Sequence, residues 1–174
     1  YYMSQTTGIA TRNELLSFMN TGTSDVPKWC LIGEGFSELT ENLNAKTKDS
    51  HYIHQVSGTS SVIGYAPTFD FTAELDKADD VTTYIAEIGR NRKVGADCET
   101  DIVNVYTWIA GKTPKTMVAY KQHITIKVDN SGSGAAGDAM ALSGSLMYKG
   151  DAVKGEWNPE TKTFTADTEV TPVE

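Results

Sequence analysis

Glu99 and Asp101 stand two positions apart in a stretch of β character, and side chains at i and i+2 of a strand share a face. Carboxylates paired in this way are what general acid–base chemistry uses, so they are the candidate catalytic pair; the competing expectation is an exposed strand edge. His51 and His54 are the candidate metal ligands. Three positions apart in an expected strand, they point to opposite faces and cannot hold one ion together. His123 shares a strand face with Thr125 and Lys127, the pattern of a solvated surface. No serine lies in a G-x-S-x-G elbow, and neither Cys30 nor Cys98 has the local signature of an activated thiol. The reading is therefore a non-enzyme with no catalytic, cofactor or metal site.

Two glycine motifs look like nucleotide sites and fail on context. Gly132-Ser133-Gly134-Ala135-Ala136-Gly137 fits G-x-G-x-x-G after a strand, but a dinucleotide site needs a helix next, whose N-terminus takes the pyrophosphate. Met140, Leu142, Leu146 and Tyr148 alternate there instead, so a strand is expected. Gly111-Lys112-Thr113 looks like the end of a P-loop, yet the required glycine five positions before the Gly-Lys pair is Tyr106. Thr113-Pro114-Lys115 also blocks a helix start, which leaves a surface turn.

The elements that would carry these residues are mostly strands. Thr11-Arg12-Asn13-Glu14 matches a capping box, and Leu15, Leu16, Phe18 and Met19 form the apolar side of an expected helix through Asn20, ended by Gly22. From Trp29 the pattern turns to β, with Gly33 and Gly35 placed to bend the strand. Residues 41–50 have only Leu43 and Ala45 as apolar anchors and are expected as an exposed loop or projecting hairpin tip. Strands are expected over 51–56 and 62–71, separated by a turn at 57–61; Ile63, Tyr65, Phe69 and Phe71 alternate in the second, and Pro67 favours an edge. Val81, Tyr84, Ile85 and Ile88 recur at helical spacing, giving an amphipathic helix that starts near Asp79 or Asp80 and closes at Gly89. Strands follow over 102–109, 118–128, 140–149, 152–157 and 162–165, the last three as a meander turning at Gly150-Asp151 and Asn158-Pro159-Glu160.

The expected fold is mainly β: an antiparallel sandwich or barrel with one flanking amphipathic helix and a short N-terminal helix. It is expected to form a single domain over 1–174, with an N-terminal helix or arm at 1–25 and a C-terminal tail at 166–174. The 39% hydrophobic content suffices for one core. A net charge of -8 argues against a phosphate-binding surface, which needs clustered Lys and Arg. No run approaches the roughly 20 apolar residues of a membrane span. The first residues lack the basic and apolar regions of a leader, no Asn-x-Ser/Thr acceptor occurs, and the two cysteines are expected as buried free thiols.

Several distinctive pieces occur in order along nearly the whole chain. They are Trp29 with Ile32-Gly33-Glu34-Gly35-Phe36, Leu39-Thr40-Glu41-Asn42-Leu43-Asn44, Tyr52-Ile53, Gly64-Tyr65-Ala66-Pro67, Gly89-Arg90-Asn91-Arg92-Lys93-Val94-Gly95-Ala96-Asp97, and Gly150-Asp151-Ala152-Val153-Lys154-Gly155 with Thr161-Lys162-Thr163-Phe164. In that order the chain resembles the tail tube (major tail) proteins of long-tailed bacteriophages. The resemblance implies a β-sandwich with a flanking helix, six copies in a ring, and rings stacked into a tube that guides DNA out of the capsid. It also implies assembly in the bacterial host cytoplasm, a place in the virion tail, and tape measure and tail-end proteins as partners. Glu41, Asn42, Asn44, Lys46, Lys48 and Asp49 would then belong to an inter-ring loop, and Gly64, Tyr65 and Pro67 to a sheet edge completed by a neighbouring subunit. DNA would pass without specific binding, the acidic balance suiting a lumen that repels phosphates. The reading stops at Glu174 and includes no adhesion role of the kind attached to the extra immunoglobulin-like domain of some relatives. Inner tubes of contractile tails, bacteriocins and secretion systems resemble the same fold. A different class of function is a glycan-recognition module in which Tyr65, Trp108 and Trp157 form a stacking platform, against which stands their burial in the core.

Overall fold

The computed structural model describes residues 7–167; the start of the expected 1–25 segment and nearly all of the expected 166–174 tail lie outside the described residues. The capping box forms, with Glu14 Oε2 accepting the Thr11 backbone N–H at 2.6 Å. Its helix, however, is a single 3₁₀ turn, Arg12–Glu14, and the chain continues as strand β1, Leu15–Asn20. This corrects the expected helix through Asn20. β1 lies between two other strands and is buried on both faces, Leu16 and Phe18 on one and Met19 on the other. A short apolar run buried on two sides has the same pattern as a helix.

The remaining elements are β2 (Trp29–Leu31), β3 (Phe36–Asn42), β4 (Ala45–Ser50), β5 (Thr59–Tyr65), β6 (Thr68–Glu74), α1 (Asp80–Asn91), β7 (Glu99–Ala110), β8 (Met117–Ser133), β9 (Ala141–Tyr148), β10 (Val153–Asn158) and β11 (Thr163–Ala166). Several boundaries differ from expectation. Residues 51–56 are not a strand: Ser50 pairs with Thr59, so the chain reverses between them. The expected strand over 62–71 breaks at Ala66-Pro67, where proline has no N–H for a ladder, and its halves enter different sheets. Pro67 is thus a joint and not part of an edge strand, since β6 runs between β9 and β3.

Helix α1 begins as expected, Asp79 accepting the Thr82 N–H at 2.7 Å. It runs past Gly89 to Asn91 and is capped by Arg92, which takes the left-handed conformation at φ 51°. Gly89 serves packing: a Cβ there would lie 3.0 Å from Val128 Cγ1 and Ser131 Cβ of β8.

Antiparallel pairing joins the strands in the order β2-β1-β7-β8-β9-β6-β3, with β10 and β11 branching from β8. The expected β9–β10–β11 meander is only half present. β9 pairs with the second half of β8 and β10 with the first, so β9 and β10 lie end to end along one edge of that 17-residue strand. β2 and β3 end the order, and laid flat they would stand about 29 Å apart at ~4.8 Å per strand interval. The link from Leu31 to Phe36 reaches at most about 18 Å. The sheet must therefore curl.

Alternation along the curled strands produces two apolar clusters. On one face Phe69, Phe71, Ile102, Ile124, Ile126, Leu142 and Leu146 pack with Val81, Ile85 and Ile88 of α1. On the opposite face Trp157 is 1% exposed among Val103, Val105, Met117 and Ala119, and stacks on Phe18 at 4.6 Å between ring centroids. These two rings come from β10 and β1, three strand intervals apart, so this half of the sheet bends toward that second face. Cys98 is buried and Cys30 half-buried; both are free thiols.

Candidate assembly surface

Strands β4 and β5 form a two-stranded sheet of their own. Asn44, at φ 47°, turns the chain into this arm, and its Nδ2 donates to the Ala66 carbonyl at 3.0 Å to pin the root. Asparagine tolerates this left-handed backbone better than most residues. A register shift between Lys46 and Thr47 twists the arm further. The tip has a defined shape: Gln55 N–H donates to the Tyr52 carbonyl at 2.9 Å, and the His51 ring meets the Gln55 carbonyl at 2.6 Å. On that frame Ile53 and Val56 are fully exposed and Tyr52 largely so, while Val62 and Ile63 leave apolar surface on both faces of β5.

The predicted 41–50 loop is thereby divided. Glu41 and Asn42 pair with β6 as the end of β3, Asn44 is the root, and Lys46, Lys48 and Asp49 lie on the exposed arm. Gly64 and Tyr65 end the returning strand, β5, and Pro67 follows the root. Nothing in local composition signalled the arm's true tip at 51–58, because Tyr52, Ile53 and Val56 read as core.

A groove of about 520 Å³ opens beside the root, lined by Leu43, Tyr65, Tyr106 and Tyr120, with Glu41 and Asp151 at its walls. It occupies the face that α1 covers elsewhere. Tyr148 closes its floor, donating to Glu41 Oε1 at 3.1 Å and accepting from Asn104 Nδ2 at 3.0 Å. Burial, reinforced by the Glu41 charge, pushes the Tyr148 phenol well above its usual range. The Gln122 amide is spent on the carbonyls of His123, Lys149 and Gly150.

Glu99 and Asp101 do share a face, at the start of β7, where the strand pairs with β8 and its pairing with β1 has not yet begun. They bracket His123 of β8: Nδ1 lies 2.7 Å from Asp101 Oδ1 and Nε2 3.1 Å from Glu99 Oε2. Lys149 meets Glu99 Oε1 at 2.7 Å and Lys121 meets Asp101 Oδ2 at 2.9 Å, so each carboxylate oxygen has a cationic or imidazole partner. Neutral imidazole has a single N–H, and both contacts become hydrogen bonds only when the ring is charged. The His123 pKa is accordingly raised, by Asp101 first and then Glu99. Glu99 is held low by Lys149 and then His123. For Asp101, burial pushes upward but is outweighed by the hydrogen bonds from His123 and Lys121, and the net direction is down. The cluster ties β7, β8 and the 149–152 loop together. His51 and His54 lie in the arm tip, and among the described residues no three His, Cys, Asp or Glu side chains are arranged to hold a metal.

No protein-family model and no curated protein matches the sequence. Solved structures do match the fold. One is a chain from the tail of an empty gene transfer agent particle determined by helical refinement with C6 symmetry, at TM-score 0.54 and 14% identity, covering 91% of this chain and all of that one. Another, from the virion of the native gene transfer agent particle, gives TM-score 0.56 and 13% identity over the same shares. The fold is tail-tube-like. Within the tail-tube-like fold the three aromatics of the glycan platform separate: Tyr65 lies at the groove, Trp108 is half-buried against Tyr106, and Trp157 is buried on the other side of the sheet. Among the described residues no helix is long and apolar enough to cross a membrane.

Proposed function

We propose that this chain is a structural subunit that assembles with its own copies into hexameric rings, stacked as a tail tube through which DNA leaves the capsid. The observation that carries the reading is the arm. A lone two-stranded hairpin is marginal in water, and this one presents apolar side chains on both faces without a third strand among the described residues. Coverage by another subunit supplies the missing contact. The fold similarity to a chain in a tail of C6 symmetry supports the same geometry.

In this assembly residues 1–174 act as one domain. Asn44, Lys46, Lys48 and Asp49 belong to the arm that reaches the adjacent ring, with Glu41 and Asn42 at its base. Gly64 and Tyr65, on the open side of β5, form the edge that a neighbour completes, and Pro67 is the joint that follows it. The net charge of -8 keeps phosphates from adhering as DNA passes. Tape measure and tail-end proteins bound the column, which is built in the host cytoplasm. Electron microscopy of the purified chain is expected to show six-fold rings or striated tubes. A strictly monomeric species, with no tube-bearing particle in the producing cells, would remove the proposal.

A further inference from the structure

We infer that the groove at the arm's root receives the arm tip of a second copy of this chain, an inference that rests on the self-assembly reading above. The two surfaces match in polarity. Tyr52, Ile53 and Val56 project from a tip whose turn is already hydrogen-bonded, so little further ordering opposes their burial. The groove, at about 520 Å³, falls in the range of roughly 300–1,000 Å³ typical of pockets that enclose a ligand group. Its walls are the faces of Tyr65, Tyr106 and Tyr120 with Leu43.

They match in charge as well. On a chain of net -8, the arm carries Lys46 and Lys48 against Asp49, a net of +1 with His51 and His54 neutral. The groove is lined by Glu41 and Asp151 and by no lysine or arginine. The Asn104 and Gln122 amides that would serve a sugar are engaged within the protein, so the groove offers aromatic faces and carboxylates, which suit an apolar tip flanked by bases.

One molecule cannot make the contact with itself. Six paired positions separate tip from root, about 20 Å of strand. The tip of each copy must therefore enter the next copy's groove. Such a contact uses two different patches and propagates head to tail, closing a ring or extending a stack according to the rotation between copies.

The test is disulfide trapping in the full chain. With Ile53→Cys and Ala152→Cys in the same molecule, mild oxidation is expected to give a ladder of linked multimers, whereas either substitution alone gives no more than the unsubstituted chain. Rings or tubes seen by microscopy without the ladder would overturn the tip-in-groove contact and leave the tube reading standing. Absence of both ladder and assembly would overturn both. A dimer through Ile53→Cys alone would place tip against tip and also refute the contact. Ile53→Asp provides a second measurement: Ile53 touches solvent in the isolated chain, so the monomer's Tm should not change. Self-association should weaken by about 100-fold, the scale of a central interface side chain lost. Unweakened assembly of Ile53→Asp would refute the inference.

Discussion

Glu156 organises the turn at 111–116 through one carboxylate, accepting from the Thr116 hydroxyl and from the backbone N–H groups of Lys112 and Thr113. These bonds, the Thr116 hydroxyl foremost, lower its pKa from 4.5 to about 2. A depressed folded-state value contributes stability above the unfolded pKa and loses it as pH falls through the folded one. Glu156→Gln is therefore expected to lower Tm at pH 7, with the deficit narrowing between about pH 4.5 and 2. Melts at both ends of that window check it, and a constant deficit would contradict it. His123 has the opposite sign: its raised pKa contributes stability below about 6.5 that is lost as pH rises through the folded value. An NMR titration of the ring should give a midpoint above 6.5 that moves back toward 6.5 in Asp101→Asn. Trp157→Ala empties the centre of the second cluster and should cost about 3–5 kcal/mol in denaturant unfolding. The face shared by Glu99 and Asp101 could be read from spacing two apart. Their engagement by His123, Lys121 and Lys149 could not, because those partners lie 20 to 50 positions away in the chain.

At the scale of elements, the start and the apolar face of α1 were legible because their signals are local, an Asp79 cap and apolar residues at helical spacing; its end was placed at Gly89, two residues short of Asn91. Asp79→Ala should destabilise by roughly 0.5–2 kcal/mol, measured by chemical denaturation. The β1 segment was misread because Leu15, Leu16, Phe18 and Met19 satisfy a helical stripe and a doubly buried strand equally well. Only pairing with β7, Met19 opposite Ile102, selects the strand. The arm was half-read. Its polar ascending strand was expected to project, but its apolar tip was assigned inward, since burial is the usual fate of Tyr, Ile and Val. Replacing residues 46–64 by a short Asn-Gly turn should leave the monomer's Tm within a few degrees while abolishing assembly in sedimentation. A large loss of Tm would show that the arm stabilises the body and would weaken its reading as an intermolecular device.

At the scale of the whole molecule, sheet order and curl set what the surface offers. End-to-end placement of β9 and β10 along β8 opens the sheet at residues 149–152, and the groove lies beside this opening. α1 covers one part of a sheet face and leaves another part of the same face to the tyrosines. The native mass of the assembled species, measured at increasing protein concentration, should step from monomer toward multiples of six subunits. Raised ionic strength should weaken association, because an arm of net +1 meets a groove bearing Glu41 and Asp151. Indifference to salt would remove charge pairing from the contact.

By itself the sequence determined the β-rich class, the capped helix, the strands of alternating polarity, and the missing helix after Gly132-Ser133-Gly134, because each rests on residues within a few positions of one another. Tertiary structure alone decided that residues 15–20 extend, that 51–58 is a tip, and that β9 and β10 share one edge of β8. It also brought Tyr65, Tyr106, Tyr120 and Tyr148 to one groove. These outcomes depend on which distant strand offers a ladder and which face is already covered, as in the Ser17–Asn104 hydrogen bond that joins β1 to β7 across 87 positions. Periodicity within one segment carries no information about either.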